Sequence, residues 1–125
     1  MKDSFKNRAV ENLEAAELLF EKGKYNAAAN RAYYAAFHFA IALLFAAGIK
    51  PSIDHRTIQA LFVDTFINKR KLFPAKYKRY LSDIQDIRND ADYKNGTSKK
   101  NAKQQLKDST EFCSLILGVI NENQL

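Results

Sequence analysis

The sequence predicts an all-α bundle built around one central helix, and three observations carry that expectation. The stretch from Asn26 to Ala47, NAAANRAYYAAFHFAIALLFAA, is apolar on almost every side of a helix, whereas a surface helix shows a single apolar stripe. Elsewhere apolar residues recur at steps of three and four, the helical period. Only four Gly and two Pro occur among 125 residues, which leaves little room for long loops.

In the central helix, Ala27, Ala28, Ala32, Ala35, Ala36, Ala40 and Ala42 supply helix propensity and let neighbours approach closely, while Leu43, Leu44 and Phe45 supply bulk. Tyr33, Tyr34, Phe37 and Phe39 fill wider gaps. Asn30, Arg31 and His38 interrupt the run, which falls short of the roughly 20 apolar residues a bilayer requires. A bundle core is therefore expected, not a membrane span. Before it, Phe5, Ala9, Leu13, Ala16 and Phe20 share one face of a helix from about Asp3 to Lys22, ended by Gly23. After it, Gly48 and Pro51 punctuate a loop, and Asp54 or Ser52 caps a third helix carrying Ile58, Leu61, Phe62, Thr65 and Phe66.

The next segment, NKRKLFPAKYKRY, places six basic residues between Lys69 and Arg79 among Phe73, Tyr77 and Tyr80. Such a mixture suits an RNA surface, with cations on phosphates and rings stacked on bases. A solvated loop with its rings turned into the core has the same composition. Pro74 or Ala75 opens a fourth helix with Tyr77, Leu81, Ile84, Ile87, Arg88 and Ala91 on one face. An unpaired guanidinium on an apolar face is costly, so Arg88 calls for a carboxylate from another helix, a second chain, or a cleft. Asp83, Asp86 and Asp90 flank it as solvated carboxylates or as partners for Arg31 and Arg88. As metal ligands they lack the Glu-x-x-His of a di-iron bundle. Asn95-Gly96 marks a turn, and Thr97 or Ser98 caps a last helix whose seam is Ala102, Leu106, Ser109, Cys113, Ile116 and Ile120. Lys99, Lys100, Lys103 and Lys107 crowd its first turns, where the helix dipole disfavours cations. A docked anion or a solvated basic surface accounts for them.

Composition narrows the class. With 27% charged and 46% hydrophobic residues, the chain reads as one globular domain over residues 1–125. A net charge of +6 and a pI near 9.4 permit an anionic partner, nucleic acid above all. Cys113 is the single cysteine, which excludes an internal disulfide or a Cys-based zinc site, and its place in the apolar seam predicts a buried inert thiol. The opening MKDSFKNRAVENLEAAE lacks an apolar h-region, so a cytoplasmic location is expected. His38 shares a helical face with Tyr34 and Arg31, as a hydrogen-bonded core residue or a catalyst; His55 suits a capping or surface role. No Gly-rich phosphate loop, Ser-His-Asp order or metal-ligand spacing is present, and no cofactor is expected.

Three stretches, NRAYYAAFHFAIALL, DHRTIQALF and IRNDADY, resemble the small prokaryotic HEPN (higher eukaryotes and prokaryotes nucleotide-binding) proteins, with the likeness running from about Ala9 to Ile120. The resemblance implies an up-and-down bundle of four to five helices that pairs as a homodimer. It also implies kinship with RNA-cleaving toxins neutralised by a nucleotidyltransferase antitoxin. The family signature R-x-x-x-x-H falls on Arg88, with Asn89 as its polar neighbour and Tyr93 at the His position; Ala91, Asp92 and Tyr93 match a recurrent R-x-x-A-D-Y variant. Tyrosine titrates near pH ~10 and is a poor base at neutrality, but it can donate a hydrogen bond to phosphate, and Arg88 can clamp a phosphate bidentately. Pairing would bring two Arg88 side chains to a shared cleft, with Lys94, Lys99 and Lys100 near its mouth; Lys76 and Arg79 belong to the basic, RNA-suited segment. The leading expectation is a dimeric partner module that binds a nucleotidyltransferase, and RNA or nucleotide, with Tyr93 as a nucleotidyl acceptor. The alternatives are an active metal-independent ribonuclease toxin using Arg88, and a helical interaction module without nucleic-acid function.

Overall fold

The structure is a computed structural model that describes residues 2–83 and 98–122. Every regular element among those residues is helical. Helix α1 spans Lys2–Glu21 and α2 spans Tyr25–Ala46. Helix α3, His55–Phe62, runs on into a π-helical stretch, Val63–Lys69. A 3-10 helix, Ala75–Arg79, leads into α4, an α-helical turn at residues 80–83. Helix α5 covers Lys99–Asn121. Among the described residues no helix is long and apolar enough to cross a membrane.

The ends of the helices follow local chemistry. Gly23 and Gly48 adopt positive φ, 76° and 83°, the left-handed conformation that suits a residue without Cβ. Each closes a Schellman motif, with Lys24 N–H on the Leu19 carbonyl at 2.8 Å and Ile49 N–H on the Leu44 carbonyl at 2.9 Å. Of the two caps expected for α3, Asp54 takes the role, accepting from Thr57 N–H at 2.9 Å. Ser98 does the same for α5 through Asn101 N–H. Beyond the π-helical stretch Lys71 carries φ 54°, where a side chain costs about 1–2 kcal/mol, and Leu72 N–H returns to the Phe66 carbonyl at 2.8 Å. The fourth helix expected to open at Pro74 or Ala75 does open at Ala75, but as 3-10 before residues 80–83 turn α-helical.

Helix α2 is the axis of the fold. From Ala32 to Leu44 only Tyr34 and His38 escape full burial. The three-residue connection at 22–24 forces α1 to run antiparallel to α2, so Phe5 at the start of α1 stacks on Phe45 near the end of α2, centroids 5.6 Å apart. Ala9 and Ala16 of α1 and Ala28, Ala29, Ala32, Ala35, Ala36, Ala40 and Ala42 of α2 are essentially inaccessible, as small side chains at close helix contacts must be. On another side, α5 lies against α2, and Ser109 Oγ donates to the Ala32 carbonyl at 2.7 Å inside the core. Phe62 of α3, Phe73, and Phe112 of α5 make the third contact, with Phe62 to Phe112 centroids 5.3 Å apart. Each such ring contributes about 1.5–3 kcal/mol by leaving water.

Candidate functional site

Two clusters of polar and aromatic side chains stand at the edges of this core. The first lies where α1, α2 and the start of α3 meet. Arg8 and Asn12 are one turn apart on α1, facing Arg31, Tyr34 and His38 of α2. Asn12 is in the middle of its helix, a position that disfavours Asn unless its amide is used. Here both N–H donors and the oxygen of the amide are engaged. Its Oδ1 accepts from Arg31 Nη1 at 3.3 Å, and its Nδ2 donates to the Arg8 carbonyl at 2.9 Å and lies 3.2 Å from His38 Nδ1. Because guanidinium only donates, the Arg31 contact fixes which amide atom is oxygen; Nδ2 therefore donates to His38 Nδ1.

That assignment determines the state of His38. Its Nδ1 lone pair is occupied, so the neutral ring carries its proton on Nε2. Burial and the nearby Arg8 guanidinium both hold the imidazole below its ordinary pKa of 6.5. His38 thus has its acceptor nitrogen committed and is not set up to accept a proton. His55 is also committed. It stacks on Phe37 with centroids 4.5 Å apart, and its Nδ1 is hydrogen-bonded to the hydroxyl of the fully buried Tyr33. It therefore anchors the start of α3 to α2, instead of capping the helix or sitting free on the surface.

The second cluster joins the 3-10 helix to the middle of α5. Tyr77 Oη donates to Glu111 Oε1 at 3.1 Å, and Lys76 Nζ reaches the same oxygen at 3.6 Å while lying 5.1 Å from the Tyr77 ring centre. Asp108 accepts from Gln104 Nε2 at 2.8 Å. Tyr80 packs on Phe112, centroids 4.7 Å apart, and its buried hydroxyl has no hydrogen-bond partner among the described residues. Together Lys76, Tyr77, Tyr80, Asp108 and Glu111 line an open cleft of about 180 Å³. Burial, with the hydrogen bond to Glu111, pushes Tyr77 up to about 12, and burial with the charge of Asp108 raises Tyr80 as well. Both phenols are neutral at physiological pH.

The residues expected from sequence meet this geometry unevenly. Arg88, Asn89, Asp92, Tyr93 and Lys94 lie outside the described residues, as do Asp86, Asp90 and the Asn95-Gly96 turn. Lys99 and Lys100 are exposed in the first turn of α5, and Lys76 and Arg79 are exposed on the 3-10 helix. They do not form one patch. Lys76 is tied to Glu111, which lies roughly 16–18 Å along α5 from Lys99 and Lys100 at the usual rise per residue. Base stacking by Phe73 and Tyr77 is ruled out by their positions, since both rings are buried and face Phe112, with Tyr80 packed alongside. Phe73 and Tyr77 belong to the core, Tyr80 is half-buried, and the cations of the segment face water. Cys113 is buried beside Ser109, and burial pushes its thiol up to about 12, as an inert core residue requires. Among the described residues no group of three His, Cys, Asp or Glu side chains is placed to hold a metal ion. Asn12, Asp108 and Glu111 were not legible as site residues; the one available signal was an Asn in the interior of a helix.

A family model for the HEPN domain matches residues 3–122. A protein of Methanocaldococcus jannaschii that carries the name "putative toxin" is 39% identical over 85 residues, 68% of this chain and 62% of that relative. The chain therefore spans about three-fifths of the relative's length.

Proposed function

The chain belongs to the HEPN domain family, and from that membership we propose that it is the toxin-like member of a toxin-antitoxin-like module. In this reading it is a homodimer that binds a nucleotidyltransferase partner, and RNA or nucleotide, at a cleft around Arg88. The observation that carries the reading is the family match over residues 3–122, reinforced by kinship with the Methanocaldococcus jannaschii protein that carries the name "putative toxin". Arg88, Asn89, Asp92 and Tyr93 stand at the family's motif. A guanidinium grips phosphate with two parallel N–H bonds, so Arg88 is the phosphate anchor, and Tyr93 adds a phenolic donor. Lys94, Lys99 and Lys100 supply further phosphate contacts, with Lys76 and Arg79 as a separate basic approach.

The same chemistry argues for binding over turnover. Metal-independent RNA cleavage needs a group that exchanges a proton near neutral pH, and the motif holds tyrosine where histidine would do this. His38 does not replace it, because its acceptor nitrogen is engaged by Asn12. Tyr93 instead suits the role of nucleotidyl acceptor from the partner enzyme.

The test is to incubate a mixed RNA pool with wild type and Arg88→Ala, without metal and with EDTA, scoring binding and cleavage separately. The expected outcome is binding without cleavage by the wild type, about ten- to hundredfold weaker in Arg88→Ala, as loss of a charged hydrogen-bonding anchor implies. Cleavage by the wild type that disappears in Arg88→Ala would instead make the protein a ribonuclease. Co-expression with a neighbouring nucleotidyltransferase, followed by mass spectrometry, should find the adduct on Tyr93; an unmodified Tyr93 removes the acceptor role.

A further inference from the structure

The cleft between the 3-10 helix and α5 has the wrong charge for the partner that the rest of this basic chain invites. Two carboxylates, Asp108 and Glu111, and two neutral phenols, Tyr77 and Tyr80, line it, in a protein whose net charge is +6. Phosphate would meet repulsion here. An ammonium would meet carboxylate oxygens, an aromatic face and a phenolic oxygen able to accept.

One ammonium already shows the arrangement. Lys76 Nζ lies 3.6 Å from Glu111 Oε1 and 5.1 Å from the centre of the Tyr77 ring. It holds that place weakly, because both side chains of the ion pair are more than half exposed, 66% and 51%, and exposed pairs contribute little. Tyr80 lines the same cleft, and its buried hydroxyl has no hydrogen-bond partner among the described residues. A buried hydroxyl in that condition costs about 1–3 kcal/mol relative to a paired one, so a ligand that reaches it gains more than Lys76 does from the rim.

We infer that this cleft is a binding site for a primary alkylammonium group, seated between Glu111 and Asp108 over the Tyr77 ring and hydrogen-bonded to Tyr80, which enters by displacing Lys76. The ammonium is either a free amine or the tip of a lysine side chain on another polypeptide. A volume of about 180 Å³ accommodates the head group and a short alkyl stem. The site uses no residue of the Arg88 motif, so it stands or falls apart from RNA binding.

The experiment follows the Tyr77 and Tyr80 ring signals by NMR while the protein is titrated, at constant ionic strength, with n-butylammonium in one arm and a Gly-Lys-Gly peptide blocked at both ends in the other. Saturable shifts confined to these rings are expected. Tighter binding of the amine would assign the site to a small molecule, and tighter binding of the peptide to a partner's lysine. The double variant Asp108→Asn, Glu111→Gln should bind at least tenfold more weakly, and Tyr80→Phe several-fold more weakly. Lys76→Met, which removes the internal competitor, should bind several-fold more tightly. Glu111 and Lys76 are exposed, so these variants are expected to fold. Absence of saturable shifts with both probes, or unchanged affinity in the double carboxamide variant, would overturn the proposal.

Discussion

The two polar clusters at the edges of the core are built from similar parts and end in opposite states. Around His38, both N–H donors and the oxygen of the Asn12 amide are engaged, and His55 is locked between Phe37 and the Tyr33 hydroxyl. Around Tyr80, Glu111 serves two partners, while the buried Tyr80 hydroxyl has none among the described residues. The first cluster is a finished set of contacts that joins three helices. The second has capacity left over. Buried polar groups are ordinarily satisfied, so a set that closes on itself reads as architecture, whereas an orphan inside a cleft points outward to a ligand.

The largest effect expected lies under the second cluster. Phe112 is fully buried and supports Tyr77, Tyr80, Phe62 and Phe73. Phe112→Ala should cost about 3–5 kcal/mol in chemical denaturation, the usual range for removing a buried ring. A loss under about 1 kcal/mol would mean that the wall of the cleft is not core.

Next comes the first cluster. Tyr33→Phe deletes the hydroxyl that holds His55 and should cost about 1–2 kcal/mol, since a buried hydrogen bond is broken and its partner is left behind. An unchanged midpoint would show that α3 does not depend on this anchor.

A smaller effect is set by pH. The folded pKa of His38 is lowered from 6.5, so the neutral ring is favoured in the folded state. Its contribution to stability is complete above pH 6.5 and is lost as the pH falls from there through the lower folded pKa, because the unfolded chain takes up the proton first. Stability measured from pH 7.5 to 5 should therefore decline with acidity, and His38→Gln should flatten that part of the curve. A slope identical in the variant would assign the decline to other groups.

The smallest loss sharpens the contrast most. Tyr80→Phe removes a hydroxyl that makes no hydrogen bond among the described residues, and should cost nothing and raise stability by up to about 1–3 kcal/mol. Set beside Tyr33→Phe, the same chemical change gives two outcomes. Equal losses at both positions would erase the distinction between the clusters.

Much of the fold was legible because its signals are local. The all-round apolarity of α2, the steps of three and four in α1 and α5, and the glycines after α1 and α2 depend only on neighbouring residues. The basic segment was legible in composition but not in direction. Its rings pack on Phe112 some 32 to 39 residues further along the chain, and nothing between Lys69 and Tyr80 reveals that partner. The 3-10 start at Ala75 escaped notice for a related reason, since the pattern of Tyr77 and Leu81 fits either helix type over so short a span.

By itself, then, the sequence determined an all-helical fold, a central helix buried on nearly every side, an inert Cys113, and membership of the HEPN family through motifs contiguous in the chain. Tertiary structure alone decided the tautomer of His38, the employment of His55, and the acidic cleft at Tyr80 in a basic protein. Each of these rests on side chains brought together across the fold, 26 residues apart for Asn12 and His38, 22 for Tyr33 and His55, and 34 for Tyr77 and Glu111. Helical periodicity states which face a residue occupies. It carries no information about what stands opposite, and hydrogen-bond satisfaction and pKa are properties of what stands opposite.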